Sequence, residues 1–407
     1  VSGPEIITLG CRLNIAESEA IRLALAGETD LIIVNSCAVT NEAVVETRKA
    51  IRRAARRRPD ARIVVTGCAS EIDQAAFASM AEVERVVPNG AKQDRLLYAP
   101  SSGPTLEIPQ FAGITQKRDA AHVRAFVPVQ NGCDHSCTFC IIPQGRGPSR
   151  SLPAGAVVEA VRAAVAAGRQ EVVLTGVDVT AYGADLPGRP TLGLLVERVL
   201  RLVPDLPRLR LSSLDPHEMD ERLITLFESE PRLMPHVHLS LQAGHDMILK
   251  RMKRRHSRAQ AVDLVQRMKA RRPDIVIGAD LIAGFPTETE AMFDASLALI
   301  ADCDIVHPHI FPFSPREGTP AARMPQLPRD VVRDRAARLR ESAAAHRSTW
   351  LAGRIGAVST MLVESDGVTG HAEDFAKVRL AESEPAGALR RVRITHVEGD
   401  HLVGAAA

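Results

Sequence analysis

Cys133, Cys137 and Cys140 form a C-x3-C-x2-C run in a chain of 407 residues. Three thiolates so close together can hold one face of a four-iron, four-sulfur cube and leave one iron without a protein ligand. An open iron can bind a small molecule, by the logic that keeps a position open on a catalytic metal. No fourth cysteine lies nearby to close the site. Asn131-Gly132 ahead and Gly145-Arg146-Gly147 behind give the loop a flexible backbone. The alternative is a zinc knuckle, but structural zinc takes four ligands and only His135 stands ready to join the sulfurs.

Cys11, Cys37 and Cys68 form a second set with matching settings. Each follows an apolar run that reads as a strand, at 5–9, 31–34 and 62–65. Helical periodicity follows each one, near 16–26, 42–58 and 71–80. Strand–helix alternation predicts an open parallel sheet, and such sheets gather ligands at the carboxyl ends of their strands. Three cysteines at three strand ends can therefore converge on a second three-thiolate site. Taken singly, each would read as a small buried residue. Cys303 has no such setting and is expected in the core.

The run at Cys133 resembles the signature of the radical S-adenosylmethionine (SAM) enzymes. Gly10-Cys11-Arg12-Leu13-Asn14, Asn35-Ser36-Cys37-Ala38-Val39-Thr40 and Thr66-Gly67-Cys68-Ala69 resemble the amino-terminal motifs of the radical SAM methylthiotransferases, a similarity covering nearly the whole chain. The resemblance implies two [4Fe–4S] clusters, one on Cys133, Cys137 and Cys140 and an auxiliary one on Cys11, Cys37 and Cys68. It also implies SAM bound through its amino and carboxylate groups and cleaved to a 5′-deoxyadenosyl radical. That radical would take hydrogen from carbon 2 of an adenine, with the auxiliary site carrying the sulfur and a second SAM methylating it. Among the branches, Leu9 through Asn14 and Asn35 through Ala43 look most like the enzymes acting on threonylcarbamoyladenosine at position 37 of tRNA, although Ser36 replaces a commoner threonine. Enzymes acting on isopentenyladenosine, or on an aspartate of a small-subunit ribosomal protein, are the alternatives. From another class, a non-catalytic iron–sulfur RNA-binding protein would need fully ligated clusters. An electron donor and a sulfur source, both unidentified, are implied partners.

The expected architecture is α/β in four segments: an open parallel-sheet domain at 1–100, a linker at 101–122, a central domain at 123–347 and a small β-barrel at 348–407. Candidate central strands lie at 125–130, 171–175, 208–213, 236–241, 275–283 and 304–313. Six βα units suit a partial barrel, open on one side, rather than a closed eight-stranded one. The radical SAM resemblance implies the same (βα)6 form. From Gly353 onward, short turn-separated strands predict a barrel like the RNA-binding TRAM domain. Residues 350–407 hold six basic and eight acidic side chains, which argues against a plainly basic RNA-binding module.

SAM contacts are expected at Thr175 and Gly176, at Ser240 and Gln242, and at Gly278, Asp280 and Gly284, all near strand ends. Each has a plain strand or turn as its alternative. The helical run at 48–58 repeats basic residues every fourth position, and a second basic run spans 250–258. Arg48, Arg52, Arg53, Arg56, Lys253 and Arg254, with Arg146 behind the cysteine loop, are the candidate contacts to a tRNA anticodon arm; a solvated face is the alternative. Net charge is only +2 and aromatics are 3%, so neither bulk attraction to nucleic acid nor many stacking platforms are expected. No run of 18 apolar residues or signal-peptide pattern is visible, so a cytoplasmic, membrane-free monomer is expected.

Overall fold

The computed structural model describes residues 3–99 and 123–407; the expected linker at 101–122 lies outside the described residues. The amino-terminal sheet has four parallel strands in chain order, Glu5–Thr8, Leu31–Ser36, Arg62–Gly67 and the two-residue edge strand Arg85–Val86. Its apolar strands face helices on both sides, which is why they read as continuous apolar runs rather than alternating ones. Leu31, Ile33 and Val64 pack with Ile21 of helix Arg12–Ala24. Ile32, Val34, Ile63 and Val65 pack on the opposite face with Ile51 and Ala54 of helix Asn41–Arg57. Thr40 starts that second helix by accepting a hydrogen bond from the Ala43 N–H at 3.2 Å.

Six parallel strands build the central domain: Ala125–Pro128, Glu171–Thr175, Arg208–Leu211, His236–Gln242, Val276–Ala283 and Ile305–Pro312. They pair as two three-stranded halves. Leu214 stitches the halves together: its N–H donates to the His238 carbonyl at 2.8 Å, and its carbonyl accepts from the Ser240 N–H at 2.9 Å. Among the described residues the first and sixth strands do not pair, so the cylinder stays open on one side. Helix Arg12–Ala24 lies against the first strand.

Helix Arg329–Ala352 runs past the expected boundary at 348 before the last five strands close into a barrel. That barrel docks at the ends where the central strands begin. Arg208 donates to the Thr360 carbonyl at 2.6 Å, and Arg210 donates to the carbonyls of Ala372 at 2.7 Å and Glu373 at 2.9 Å. Phe375 stacks on His236, the first residue of the fourth strand, with ring centroids 4.9 Å apart. Among the described residues no helix is long and apolar enough to cross a membrane.

Candidate active site

The loop bearing Cys133, Cys137 and Cys140 follows the first central strand and ends in the short helix Ile142–Arg146. Gly132 enters it at φ +74°, where a Cβ would collide with the Pro148 carbonyl. The Gln130 amide ties the loop down. Its nitrogen donates to the Gly132 carbonyl at 2.7 Å, and its oxygen accepts from the N–H groups of Val177 at 3.1 Å and Asp178 at 2.9 Å. From the far side, Thr138 donates its hydroxyl to the Arg251 carbonyl at 2.8 Å.

Donors are aimed at the sulfurs. The His135 N–H lies 3.4 Å from the Cys133 Sγ, and Arg254 Nη1 lies 3.6 Å from the Cys137 Sγ. Burial pushes the Cys133 thiol up to about 12 and the Cys140 thiol up to about 11. His135 points its Nε2 at Asp178, 2.6 Å away, and hydrogen bonds to Asp178 and Glu218 push its imidazole up to about 10.

Cys11, Cys37 and Cys68 stand directly beyond the ends of the amino-terminal strands or at the start of the helix that follows. Gly10, at φ +96°, lets Cys37 pack close: a Cβ on Gly10 would lie 2.7 Å from both the Cβ and Sγ of Cys37. Burial raises the Cys37 thiol, and Cys11 and Cys68 add to the shift, so the three sulfurs share one electrostatic neighbourhood. The two sets also adjoin each other. Gly145, in the helix after the first loop, would place a Cβ 3.1 Å from that of Cys68, and the Cys140 thiol is raised in part by Cys68. Asn89 donates to the Cys68 Sγ at 3.7 Å and also to the Gly145 carbonyl.

Both sets suit a cluster by the chemistry of their donors. Each gathers three cysteines into one neighbourhood, and burial of Cys133, Cys140 and Cys37 disfavours their free thiolates in a way that binding to iron relieves. A cavity of about 210 Å³ is lined by residues next to both sets. Its walls include Val39 and Thr40, just after Cys37, and Phe139, just before Cys140. Gln242, Asp280, Ile282 and Phe313 of the central domain, with Arg316, complete much of the lining.

Several expected contacts sit elsewhere than the sequence suggests. Arg146 is not on the surface for RNA: it is buried, donating to Glu17 at 2.9 Å and 3.1 Å and to Asn131 at 2.9 Å, with Lys92 also paired to Glu17. Arg254 likewise turns inward, to Asp215 and the Ser240 carbonyl at 2.9 Å each. The space over Gly278 is filled by His238, and that over Gly284 by Val332, so neither glycine opens onto a ligand. Asp280 lines the cavity but is held by His238 at 3.0 Å and His309 at 3.2 Å. Those bonds outweigh its burial and hold its carboxyl below the usual range.

Gln242, at φ +68°, lines the cavity, and Thr175 and Gly176 form the turn held by Gln130. Arg52, Arg53, Arg56 and Lys253 are exposed, while Arg48 is half-buried over the Phe77 ring. Arg316 escaped the sequence reading. It is buried, donates to Asn41 and lies in the field of Cys37; only its place in the stretch after the sixth strand could have flagged it.

Residues 127–300 match the radical SAM superfamily, and residues 4–88 match an uncharacterized protein family, UPF0004. The threonylcarbamoyladenosine tRNA methylthiotransferase MtaB of Rickettsia prowazekii (strain Madrid E) is 44% identical over 410 residues, covering 98% of this chain and 96% of that protein. The chain belongs to the radical SAM methylthiotransferases. Membership brings SAM and a [4Fe–4S] cluster with it. A second threonylcarbamoyladenosine tRNA methylthiotransferase MtaB, from Chlamydia pneumoniae, is 34% identical over 98% of this chain and 97% of its own. The tRNA-2-methylthio-N(6)-dimethylallyladenosine synthase of Anaeromyxobacter sp. (strain K) is 35% identical over 98% and 93%. Among solved structures, the radical SAM methyltransferase TsrM of Kitasatospora setae superposes with a TM-score of 0.55 at 17% identity, over 74% of this chain and 66% of that one, a likeness of fold.

Proposed function

We propose that this enzyme attaches a methylthio group to carbon 2 of N6-threonylcarbamoyladenosine at position 37 of tRNA. Cys133, Cys137 and Cys140 would hold one [4Fe–4S] cluster, and Cys11, Cys37 and Cys68 a second. The observation that carries this reading is a cavity lined by neighbours of both Cys37 and Cys140. When bound, a cluster with an open iron supplies an anchoring position for SAM and an electron, chemistry that an aromatic C–H with no acid–base handle requires. The residues of the chain do the rest. The His135 N–H and the Arg254 guanidinium offset charge on the sulfurs of Cys133 and Cys137. Ser240, Gln242 and the turn at Thr175 and Gly176 are the candidate contacts to SAM. Phe139, Ile282 and Phe313 give the cavity an apolar wall that excludes water from a base flipped out of the anticodon loop. Arg316 also lines the cavity, donating to Asn41 and lying in the field of Cys37. The exposed basic face at Arg52, Arg53 and Arg56, with Lys253, would meet the phosphates.

We divide the chain into a sheet domain at 1–100, the radical SAM domain at 123–347 and a TRAM-like barrel at 348–407. It would act as a cytoplasmic monomer with a separate electron donor and sulfur source. The test is to incubate the reconstituted enzyme with SAM, reductant and anticodon stem-loops bearing either threonylcarbamoyl- or dimethylallyladenosine, then analyse nucleosides by mass spectrometry. Gain of a methylthio group on the threonylcarbamoyl RNA is expected. Gain on the dimethylallyl RNA alone would overturn the substrate assignment.

A further inference from the structure

His309 stands on the sixth central strand, which is the open edge of the barrel. It pairs in register with Asp280 of the fifth strand, and its ring lies 4.5 Å from that of His238 on the fourth, centroid to centroid. All three side chains therefore share the inner face, and both rings reach one carboxylate oxygen. His238 Nε2 lies 3.0 Å and His309 Nδ1 lies 3.2 Å from Oδ1 of Asp280. An ionised carboxylate only accepts, so each ring presents an N–H to it. That bond orients His309: in the neutral imidazole the other nitrogen, Nε2, is left as an acceptor. Among the described residues neither Nε2 of His309 nor Oδ2 of Asp280 has a hydrogen-bond partner. The His309 side chain is 59% exposed although it faces the barrel interior, since its strand is the unpaired edge.

The ring borders the cavity of about 210 Å³. Asp280, to which it is bonded, lines that space, and so does Phe311, whose ring centroid lies 6.4 Å from its own. Two acceptors without partners, Nε2 of His309 and Oδ2 of Asp280, thus stand side by side at the rim. Such a pair is satisfied by a donor from the ligand. A carboxylate placed there would meet the like charge of Asp280, whereas Arg316 in the same lining offers a cation. A hydroxyl fits. A threonylcarbamoyl group carries one on its side chain, and a dimethylallyl group has none. SAM has hydroxyls too, on its ribose. However, His309 lies three residues before the end of its strand, about 10 Å back from the strand ends where the cysteine loop emerges. We propose that His309, held by Asp280, determines substrate specificity by accepting a hydrogen bond from the threonyl hydroxyl of the substrate. This deepens, and rests on, the substrate reading above.

The test uses full-length reconstituted enzyme as wild type, His309→Asn and His309→Gln. Asn keeps a donor where Nδ1 lies, so it retains the bond to Asp280 but loses the distal acceptor. Gln carries an acceptor out to where Nε2 lies. Affinities are measured for anticodon stem-loops carrying threonylcarbamoyladenosine or its valylcarbamoyl analogue, in which a methyl replaces the hydroxyl, and separately for SAM. Methylthiolation of threonylcarbamoyl and dimethylallyl RNA is assayed alongside. Wild type should prefer the threonyl over the valyl RNA by roughly 3- to 10-fold, as expected for one hydrogen bond. His309→Asn should bind the two alike, at the affinity wild type shows for the valyl RNA, whereas His309→Gln should keep part of the preference. All three should bind SAM equally. Retained preference in His309→Asn would mean that the ring only braces Asp280, overturning the proposal and leaving the substrate reading intact. So would a wild type that modifies the threonylcarbamoyl RNA yet binds threonyl and valyl forms alike. Loss of SAM affinity in His309→Asn with the RNA preference unchanged would overturn it too, assigning the residue to the cofactor. A wild type that methylthiolates the dimethylallyl RNA alone would overturn the substrate reading and this proposal with it.

Discussion

Replacing Glu17 with Gln should loosen the joint that fixes the two cysteine sets relative to each other. Glu17 lies on the amino-terminal domain and its partner Arg146 closes the cysteine loop; the two side chains are 5% and 1% exposed, and Lys92, also paired to Glu17, is 3% exposed. Gln keeps the size but removes the one anion shared by two buried cations. Removing one partner of a buried pair costs about 3–5 kcal/mol. Burial already pushes the Lys92 ammonium down, so it can shed its proton in the variant, which favours the lower end, about 3 kcal/mol. At about 2.1 cal/mol/K of unfolding entropy per residue, a chain of 407 residues shifts by about 1.2 °C per kcal/mol, so the melting temperature of the full chain should fall by roughly 3–4 °C near pH 7. The pH dependence gives a second readout. Although burial opposes it, Lys92 and Arg146 hold the Glu17 carboxyl below its usual 4.5. A lowered carboxyl contributes its full stability above the unfolded value and loses it as pH falls through the folded one. The two melting curves should therefore converge below about pH 4.5. Thermal unfolding followed by circular dichroism across pH is the assay. A variant melting within about 2 °C of wild type at pH 7, or a gap that persists on acidification, would refute this reasoning.

Gly10→Ala should impair the auxiliary site, because a Cβ at φ +96° would press on Cys37 at 2.7 Å; iron retained at that site in full would count against it. Anaerobic reconstitution should load roughly eight irons per chain, and Cys37→Ala roughly four, by the iron content of two cubes and one. Zinc in their place would contradict the assignment. Cys137→Ala should abolish SAM cleavage, whereas Cys37→Ala should leave it measurable and end methylthio transfer. Charge removal at Arg52 and Arg56, exposed and without ion pairs among the described residues, should weaken tRNA binding and flatten its salt slope by about 0.9 for each phosphate no longer neutralised. A truncation before Trp350 that alone flattens the slope would assign the phosphates to the last barrel.

The strand-end setting of Cys11, Cys37 and Cys68 is legible in the chain because parallel strands covered on both faces leave long apolar runs, and the cysteines punctuate them. The six central strands are legible for the same reason. The direction of a long cationic side chain is not. Arg146 finds Glu17 and Arg254 finds Asp215, partners 129 and 39 residues away, and no local pattern announces them. Gly278 and Gly284 read as openings for a ligand, but His238 and Val332 occupy those spaces. The edge strand Arg85–Val86 is too short to leave a periodic trace.

The most direct test of the proposed activity is mass spectrometry of tRNA nucleosides from cells lacking this protein. Loss of the 2-methylthio form, with threonylcarbamoyladenosine accumulating, is the predicted result, restored by the wild-type chain but not by Cys37→Ala. Unchanged methylthiolation of threonylcarbamoyladenosine, or loss confined to dimethylallyladenosine, would contradict it.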